Sequence, residues 1–288
     1  MGVVGKIRFG EFLLSILFYF PIVYGTDGIE YNVQLQNHDF LLPESQIRFA
    51  RLRCMELYSQ ADFLNFDDTP ETHCYMQCLI YKMGLMDLKT RGLDSLKFSD
   101  IWDDIEEAFE EKCLEKFQFG ESLNGKCSDT YRKLIEFRTH CWELFEYTFG
   151  GNSTWKSKDP SKSIGQSASE FCDSFDEDGN VATESSLSIE LTFESMFKSK
   201  LICLYKNYHY LDAYGRVDES ELQRSYDEAL IDVDESNSFI KICSRRANSK
   251  YRTDYLGDMV FELQSCMKQH SPEFATVVQL RNEHSKDY

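Results

Sequence analysis

The sequence predicts an all-α protein made of two disulfide-stapled helical domains, and three observations support this fold class. Apolar residues recur at helical spacing through most of the chain, and helix-capping residues precede several of these segments. No run alternates like a β-strand for long. The ten cysteines divide into two even groups, so each domain can close its own disulfides. The groups are Cys54, Cys74, Cys78, Cys113, Cys127 and Cys141, followed by Cys172, Cys203, Cys243 and Cys266.

The first 25 residues have the pattern of a secretory signal peptide. Lys6 and Arg8 precede an apolar run from Phe12 to Tyr24, and the small residue Gly25 closes it. The run is about 13 residues long, which is short for a bilayer that needs about 20. We therefore expect a cleaved leader at 1–25 and a secreted mature chain. An uncleaved membrane anchor is the alternative, because no small residue stands three positions before the expected cleavage point.

The mature chain is expected to be strongly acidic. The whole sequence has a formal net charge of −18, and loss of the leader makes the charge one unit more negative. This excess of carboxylates repels phosphate backbones and anionic lipid headgroups, so we expect neither nucleic acid nor a membrane as a partner. In an oxidising compartment, the ten cysteines indicate five disulfides. We expect a monomer whose partners are small molecules.

The helices of the first domain, residues 26–150, are predicted in order from their patterns. Residues 45–58 carry apolar residues at helical spacing. Thr69 and Pro70 form an N-cap with proline at the first helical position. In the helix that follows, Cys74 and Cys78 lie four positions apart, so we expect both thiols to face the same neighbouring elements.

Later helices are predicted mainly from their capping residues. Ser99 or Asp100 can cap one helix, and Ser128 can cap the next, whose apolar pattern continues to Phe149. In the second domain, Asp218 and Glu221 have the spacing of a capping pair. Ser271 and Pro272 are expected to start the last helix.

A segment rich in Gly, Ser and Lys separates the two domains. It runs over 151–168, contains few apolar residues and is the predicted linker, which places the second domain at 169–288. Asn152 opens an Asn-Ser-Thr glycosylation sequon, which is relevant in a secreted protein.

The sequence indicates neither an enzyme nor a metal site. It contains no His-Glu-x-x-His, Gly-x-Ser-x-Gly or phosphate-binding loop. His73 and His140 each precede a cysteine, but an oxidised thiol cannot act as a nucleophile. If Gly179 were the sixth residue of a calcium loop, Ser185 would stand where the bidentate acid is required. We expect no catalysis, no cofactor and no metal.

The cysteine order and several local segments resemble a known family. One cysteine, a Cys-x-x-x-Cys pair and three later cysteines are similar to the six-cysteine spacing of insect odorant-binding proteins, although the gap from Cys54 to Cys74 is shorter than usual there. Three segments, ESQIRFARLRCME, PETHCYMQC with KMGLMD, and CLYKNYHYLDAYGRVDESEL, resemble the long-form D-seven salivary proteins of blood-feeding flies. In that family two odorant-binding-like domains are fused, and the similarity covers nearly the whole mature chain.

The resemblance implies both a disulfide pattern and a function. It implies a secreted salivary scavenger that removes host mediators of vasoconstriction, platelet aggregation and inflammation by tight stoichiometric binding. First domains of the family bind eicosanoids such as cysteinyl leukotrienes and thromboxane-like lipids, and second domains often bind biogenic amines. The implied pairs are Cys54 with Cys78, Cys74 with Cys127, Cys113 with Cys141, Cys172 with Cys203, and Cys243 with Cys266.

An eicosanoid is a flexible hydrocarbon ending in a carboxylate, so its site requires an apolar tunnel with cations or donors at the mouth. The resemblance places Tyr75 where a hydroxyl is associated with thromboxane-type ligands, and Lys156 where the linker closes over the mouth. Plain core packing is the alternative role for each wall residue. The candidate walls are Phe63, Leu64, Phe66, Tyr75, Leu79, Trp142, Phe145 and Phe149, and the candidate mouth groups are Lys133, Arg138, Thr154, Lys156 and Lys158.

The second domain lacks the acids that the resemblance requires for an amine. Amine-binding members carry an Asp and a Glu three residues apart in the last helix, and the matching positions here are Gln279 and Asn282. A buried ammonium needs a carboxylate or an aromatic box. We therefore expect amine binding to be lost, unless Glu283 substitutes. A biogenic-amine binder and a salivary inhibitor of a host clotting or complement protein are the alternative functions.

Overall fold

The computed structural model describes residues 44–61, 66–101, 107–149, 162–178, 193–251 and 256–288. Several sequence-based predictions lie outside the described residues. These are the signal peptide at 1–25, the sequon at Asn152, most of the linker, and the candidate site residues Phe63, Leu64, Thr154, Lys156 and Lys158.

The predicted all-α fold class is confirmed for the part of the chain that the structure describes. Its regular structure is helical, and its extended pairing is limited to two isolated bridges, Met86 with Leu93 and Leu211 with Val217. No described helix combines the length and the apolar character that crossing a bilayer requires. The helices are α1 (Glu44–Leu57), α2 (Pro70–Lys82), α3 (Ser95–Ile101), α4 (Glu107–Leu114), α5 (Cys127–His140), α6 (Trp142–Phe149), α7 (Ala168–Asp178), α8 (Phe193–Asn207), α9 (Glu219–Glu228), α10 (Val233–Asn248), α11 (Gly257–His270) and α12 (Phe274–His284), and a short 3-10 helix (Ser285–Asp287) follows.

Two of the predicted N-caps are confirmed. The Thr69 hydroxyl accepts a hydrogen bond from the backbone N–H of Thr72 at 3.2 Å, and Pro70 is the first residue of α2. The Asp218 carboxylate accepts the backbone N–H groups of Ser220 and Glu221 at the start of α9. Each cap satisfies N–H groups that have no partner within the helix.

Other predicted helix starts are wrong. Ser99 and Asp100 lie inside α3, because the cap is Asp94, whose carboxylate accepts the N–H of Leu96 at 3.1 Å. Ser128 lies inside α5, which begins one residue earlier and has no side-chain cap.

The apolar pattern after Ser128 does not form one continuous helix. Cys141 leaves helical geometry, with φ −130° and ψ 46°, and is bonded to Cys113. This residue separates α5 from α6. The last helix begins at Phe274, after a turn over 271–273, and not at Pro272.

Five disulfides join the helices, in the pairing that the resemblance implies. The expectation that Cys74 and Cys78 face the same element is wrong. Cys78 bonds to Cys54 in α1, whereas Cys74, one turn earlier, bonds to Cys127 at the start of α5. The two bridges therefore fix α2 to both α1 and α5.

Each half of the described chain has its own hydrophobic cluster. The first cluster lies between residues 47 and 149 and is rich in phenylalanine, and the second lies between 168 and 277 and is rich in tyrosine. All described residues belong to one compact unit. The predicted domain boundaries, 26–150 and 169–288, stay predictions.

A buried ion network joins the two halves. The Glu221 side chain in α9 is fully buried, and its carboxylate contacts Arg53 Nε at 2.8 Å, Lys82 Nζ at 3.1 Å and Arg281 Nη2 at 3.4 Å. The expectation that Glu221 completes a capping box with Asp218 is therefore wrong. Arg224 Nη1 lies 3.7 Å from the same carboxylate, so four cations surround this buried charge, which requires such partners.

Aromatic contacts lie next to this network. The rings of Phe49 in α1 and His209 stack with centroids 3.5 Å apart and planes 4° apart. The Tyr214 hydroxyl donates a hydrogen bond to the carbonyl of Met86 at 2.7 Å. The ring stack fixes the second half against α1, and the Tyr214 hydrogen bond fixes it against the turn after α2.

Candidate functional site

The candidate site lies in the aromatic interior of the first half. Leu79 from α2 and Phe145 and Phe149 from α6 are buried there, as their apolar spacing predicts. Tyr75 is also buried, with 2% of its surface exposed. Burial raises the pKa of the Tyr75 hydroxyl, and the charge of Arg51 offsets part of the rise. The hydroxyl therefore stays protonated and is a hydrogen-bond donor at neutral pH.

Arg138 in α5 lies at one edge of this interior. Its guanidinium carbon is 4.5 Å from the Phe66 ring centroid, 5.2 Å from that of Trp142 and 5.9 Å from that of Phe145. Among the described residues no carboxylate pairs with it, although the chain has a formal net charge of −18. A guanidinium on aromatic rings keeps its in-plane N–H groups available for an anion.

The loop after α1 brings Phe66 to this position. Phe66 has a positive φ of 55°, and its carbonyl accepts a hydrogen bond from the Tyr131 hydroxyl at 2.6 Å. Its ring lies 5.3 Å from that of Phe145. A non-glycine residue in this conformation costs free energy, so the surrounding contacts must hold it in place.

Trp142 does not line the interior, which corrects its expected role as a wall. With 47% of its surface exposed, it begins α6 directly after the chain leaves helical geometry at Cys141. Its ring lies beside Arg138, four residues earlier. Trp142 therefore contributes to the edge at which the guanidinium lies.

Lys133 is a poor mouth group because its charge is already paired. Its Nζ contacts Glu121 at 2.9 Å and Glu136 at 3.0 Å, and lies 4.5 Å from the Phe117 ring centroid. Arg138, further along the same helix, has no carboxylate partner among the described residues. Lys133 is therefore a structural cation, whereas Arg138 is available to an anion.

Sequence reasoning missed Arg51, a second available guanidinium. Its Nη2 donates to the carbonyl of Phe149 at 3.1 Å, at the end of α6. No described carboxylate pairs with it, and its Nε is buried without a hydrogen-bond partner among the described residues. A sequence signal exists, because Arg51 follows Ile47 by four residues and precedes Cys54 by three, on the buried face of α1.

In the second half, neither of the two positions that correspond to the amine-site acids is available to bind an ammonium group. Gln279 is exposed on α12. The Asn282 side-chain oxygen accepts the backbone N–H of Ser169 at 2.9 Å and faces the Tyr208 hydroxyl at 3.4 Å. Glu283 is exposed and pairs with Lys286 at 2.5 Å, so it does not substitute for the missing acids.

A groove of about 270 Å³ lies between the halves, lined mainly by α1, α9 and α12. Its arginines are paired, since Arg224 contacts Glu56 and Glu228, and Arg53 and Arg281 contact Glu221. Elsewhere, Cys243, Cys266 and His270 lie close together, but the two sulfurs are bonded to each other and cannot ligate a metal.

Comparison with solved structures gives three informative matches. A mosquito juvenile hormone-binding protein matches with a TM-score of 0.61 at 17% identity, over 85% of this chain and 90% of that protein. The AeD7–leukotriene E4 complex matches with a TM-score of 0.59 at 17% identity, over the same shares. The AnSt-D7L1–U46619 complex matches with a TM-score of 0.56 at 18% identity, over 86% and 89%. The sequence matches no protein-family model and no curated protein.

The helical halves, each stapled by bridges between helices, define a protein of the odorant-binding-like fold class. More particularly, the chain has the fold of the D7, or D-seven, proteins. The resemblance drawn from the sequence is thereby confirmed for the fold.

Proposed function

We propose that this chain is a secreted salivary scavenger that binds host eicosanoids in its N-terminal domain, residues 26–150. The observation that carries the proposal is Arg138, a guanidinium without a described carboxylate partner that lies on aromatic rings at the edge of an apolar interior. Its chemistry suits a long hydrocarbon that ends in a carboxylate. Proteins of the same fold in complex with leukotriene E4 and with the thromboxane analogue U46619 support this ligand class.

In this proposal each group has a defined role. Arg138 pairs with the ligand carboxylate, and the rings around Phe145 contact the hydrocarbon chain. The Tyr75 hydroxyl donates a hydrogen bond to an oxygen on that chain. Thr154 and Lys156, from the predicted linker at 151–168, also pair with the ligand carboxylate.

The proposed action is stoichiometric removal of host mediators by a monomeric protein in saliva, without catalysis, cofactor or metal. Sequestering leukotrienes and thromboxane-type lipids antagonises vasoconstriction, platelet aggregation and inflammation during blood feeding. Amine binding by the C-terminal domain, 169–288, is lost in this proposal. The supporting observation is that the neutral Asn282 side chain already accepts hydrogen bonds from α7 and from Tyr208.

Isothermal titration of the mature chain with leukotriene E4, U46619 and serotonin tests the proposal. We expect saturable binding of one lipid per chain and no serotonin heat. Tight serotonin binding contradicts the loss of the amine site. If none of the three ligands binds, the scavenger proposal fails and inhibition of a host clotting or complement protein becomes the leading function.

A pair of arginine variants on α5 tests the role of Arg138. Arg138→Gln removes the proposed carboxylate partner, and we expect lipid affinity to fall at least about tenfold, the effect of losing a charged hydrogen bond. Arg132→Gln is the control, because Arg132 is exposed on the same helix and pairs with Asp129. Equal loss in both variants would indicate a general charge effect.

A further inference from the structure

The second half of this acidic chain carries a strongly basic surface. Residues 236–253 contain five cationic residues and no acidic one, whereas the whole sequence has 49 acidic and 31 basic residues. Four of the five are described: Lys241, Arg245 and Arg246 lie in α10, and Lys250 lies two residues after its end. All four are exposed. Their spacing places them on successive turns of the outer face of the helix.

Arg216 extends this surface past the end of α10. It is exposed, and its guanidinium carbon lies 5.5 Å from the ring centroid of Tyr251, the residue that follows Lys250. The five cations together are called the basic face: Lys241, Arg245, Arg246, Lys250 and Arg216.

The charge of the basic face is only partly neutralised within the chain. Glu262 in α11 pairs with Arg246 and, at 2.5 Å, with Lys250. The other three cations of the face have no ion pair among the described residues. The basic face therefore keeps a positive charge, although the chain has a formal net charge of −18.

This arrangement of charges costs the helix free energy. Lys241 and Arg245 are four residues apart, as are Arg246 and Lys250, and like charges at this spacing repel each other. Cations in the last turn of a helix interact favourably with its dipole, which accounts for Arg245 and Arg246. The dipole does not account for Lys241, which lies about two turns before the end of α10. A polyanion from outside the chain would remove the repulsion along the whole face.

We propose that the basic face binds a linear sulfated polysaccharide of the extracellular matrix, such as heparan sulfate. The row from Lys241 to Lys250 spans about 14 Å along the helix axis, and a linear polyanion can follow it. This binding requires secretion of the chain but not the lipid site of the first half.

The net charge of the chain favours a thin polyanion over a broad one. At physiological ionic strength, charges are screened beyond about 8 Å. A single polysaccharide chain on α10 therefore interacts with the basic face and only weakly with the acidic remainder of the surface. A lipid bilayer is broad, so its anionic headgroups also approach that acidic remainder and are repelled.

Heparin octasaccharide, titrated calorimetrically into the mature chain at several salt concentrations, is the probe. We expect saturable binding at about 0.15 M NaCl and an affinity that falls as salt rises. The double variant Lys241→Gln, Arg245→Gln removes two cations that have no described ion pair. We expect its affinity to fall at least about tenfold, and the slope of log affinity against log salt to decrease by about 2.

The double variant Lys112→Gln, Lys116→Gln is the matched control. These two lysines in the first half are exposed and four residues apart, and their replacement changes the net charge by the same amount. Glu111 and Glu115 precede them directly in the sequence, so their surroundings are acidic. We expect heparin affinity within about twofold of the wild-type value. Thermal unfolding of both double variants shows whether the fold is intact.

The inference is overturned if the wild-type chain does not bind heparin at about 0.15 M NaCl, or if both double variants lose affinity equally. Vesicles that contain phosphatidylserine test the competing polyanion. Vesicle binding that depends on Lys241 and Arg245, without heparin binding, would also overturn the inference. Titration of the same double variant with leukotriene E4 separates the two proposals, because we expect its lipid affinity to equal that of the wild type.

Discussion

The turns that follow Cys78 in the first half and Cys203 in the second have the same backbone design but different residues at the left-handed position. Six residues after each cysteine, φ is positive: +72° at Gly84 and +58° at His209. In both turns the next backbone N–H donates to a carbonyl five residues earlier at 3.0 Å. A single bridge and an aspartate N-cap follow in each half.

The two turns differ in how each contacts the other half. Gly84 adopts a positive φ without strain and lets its turn approach Ala213. His209 adopts the same conformation at a cost of about 1 kcal/mol and places its ring on Phe49. Asp218 also pairs with a lysine of the other half, Lys82, at 2.8 Å, whereas its counterpart Asp94 has no such pair among the described residues.

The largest effect is expected from breaking the ion network around Glu221 in α9, the helix that follows the second turn. The helix after the first turn has no counterpart of this network among the described residues. Glu221→Gln leaves Arg53, Lys82 and Arg281 buried beside a neutral amide. Removing one member of a buried ion network costs about 3 to 5 kcal/mol. We expect a loss of this size in the free energy of unfolding, measured by urea denaturation.

The control for this prediction is Glu219→Gln, two residues earlier on α9, where no described ion pair is present. It should change the free energy of unfolding by less than about 0.5 kcal/mol. A loss below about 1 kcal/mol in Glu221→Gln would mean that the cations around this carboxylate are solvated and contribute little to the interface.

A smaller effect is expected at the first turn. Gly84→Ala introduces a Cβ at a φ of +72° and only 3.0 Å from the Ala213 Cβ. Gly125→Ala is a matched control, because Gly125 has a φ of +75° but nothing within 4 Å of the new Cβ. We expect losses of about 2 kcal/mol for Gly84→Ala and about 1 kcal/mol for Gly125→Ala. Chemical denaturation measures both, and equal losses would remove the close approach as a cause.

Local signals predicted much of the fold, because they act within a few residues. The caps at Thr69 and Asp218 need only the N–H groups that follow them. Glu221 shows where this reasoning fails. Its spacing from Asp218 indicates a capping pair, but its partners Arg53 and Lys82 lie 168 and 139 residues away. Local spacing carries no information about such partners.

The candidate site shows the same limit. Leu79 and Phe145 are buried, as helical periodicity indicates. The sequence did not distinguish Lys133, which is paired with two glutamates, from Arg138, which has aromatic neighbours and no described carboxylate partner. Lys162 in the predicted polar linker is 1% exposed, because its Nζ donates to carbonyls of the C-terminal turn. Which charge is paired depends on tertiary contacts.

The last prediction concerns the pH dependence that His209 confers and Gly84 does not. Burial lowers the pKa of His209 well below its usual value, and the nearby charges of Arg281 and Lys82 lower it further. Both ring nitrogens are buried and have no hydrogen-bond partner in the described chain. The unfolded chain therefore binds a proton that the folded chain excludes, and the stability present above pH ~6.5 is lost as the pH falls below it.

The variant His209→Asn isolates this contribution, since asparagine tolerates a positive φ and does not titrate. Its own packing loss is the same at every pH. Between pH 7.5 and 5.5, the free energy of unfolding of the wild-type protein should fall by about 1.4 kcal/mol more than that of the variant. Parallel slopes for wild type and His209→Asn would mean that the folded chain binds this proton as readily as the unfolded chain, so the stacked pair would carry a charge at low pH.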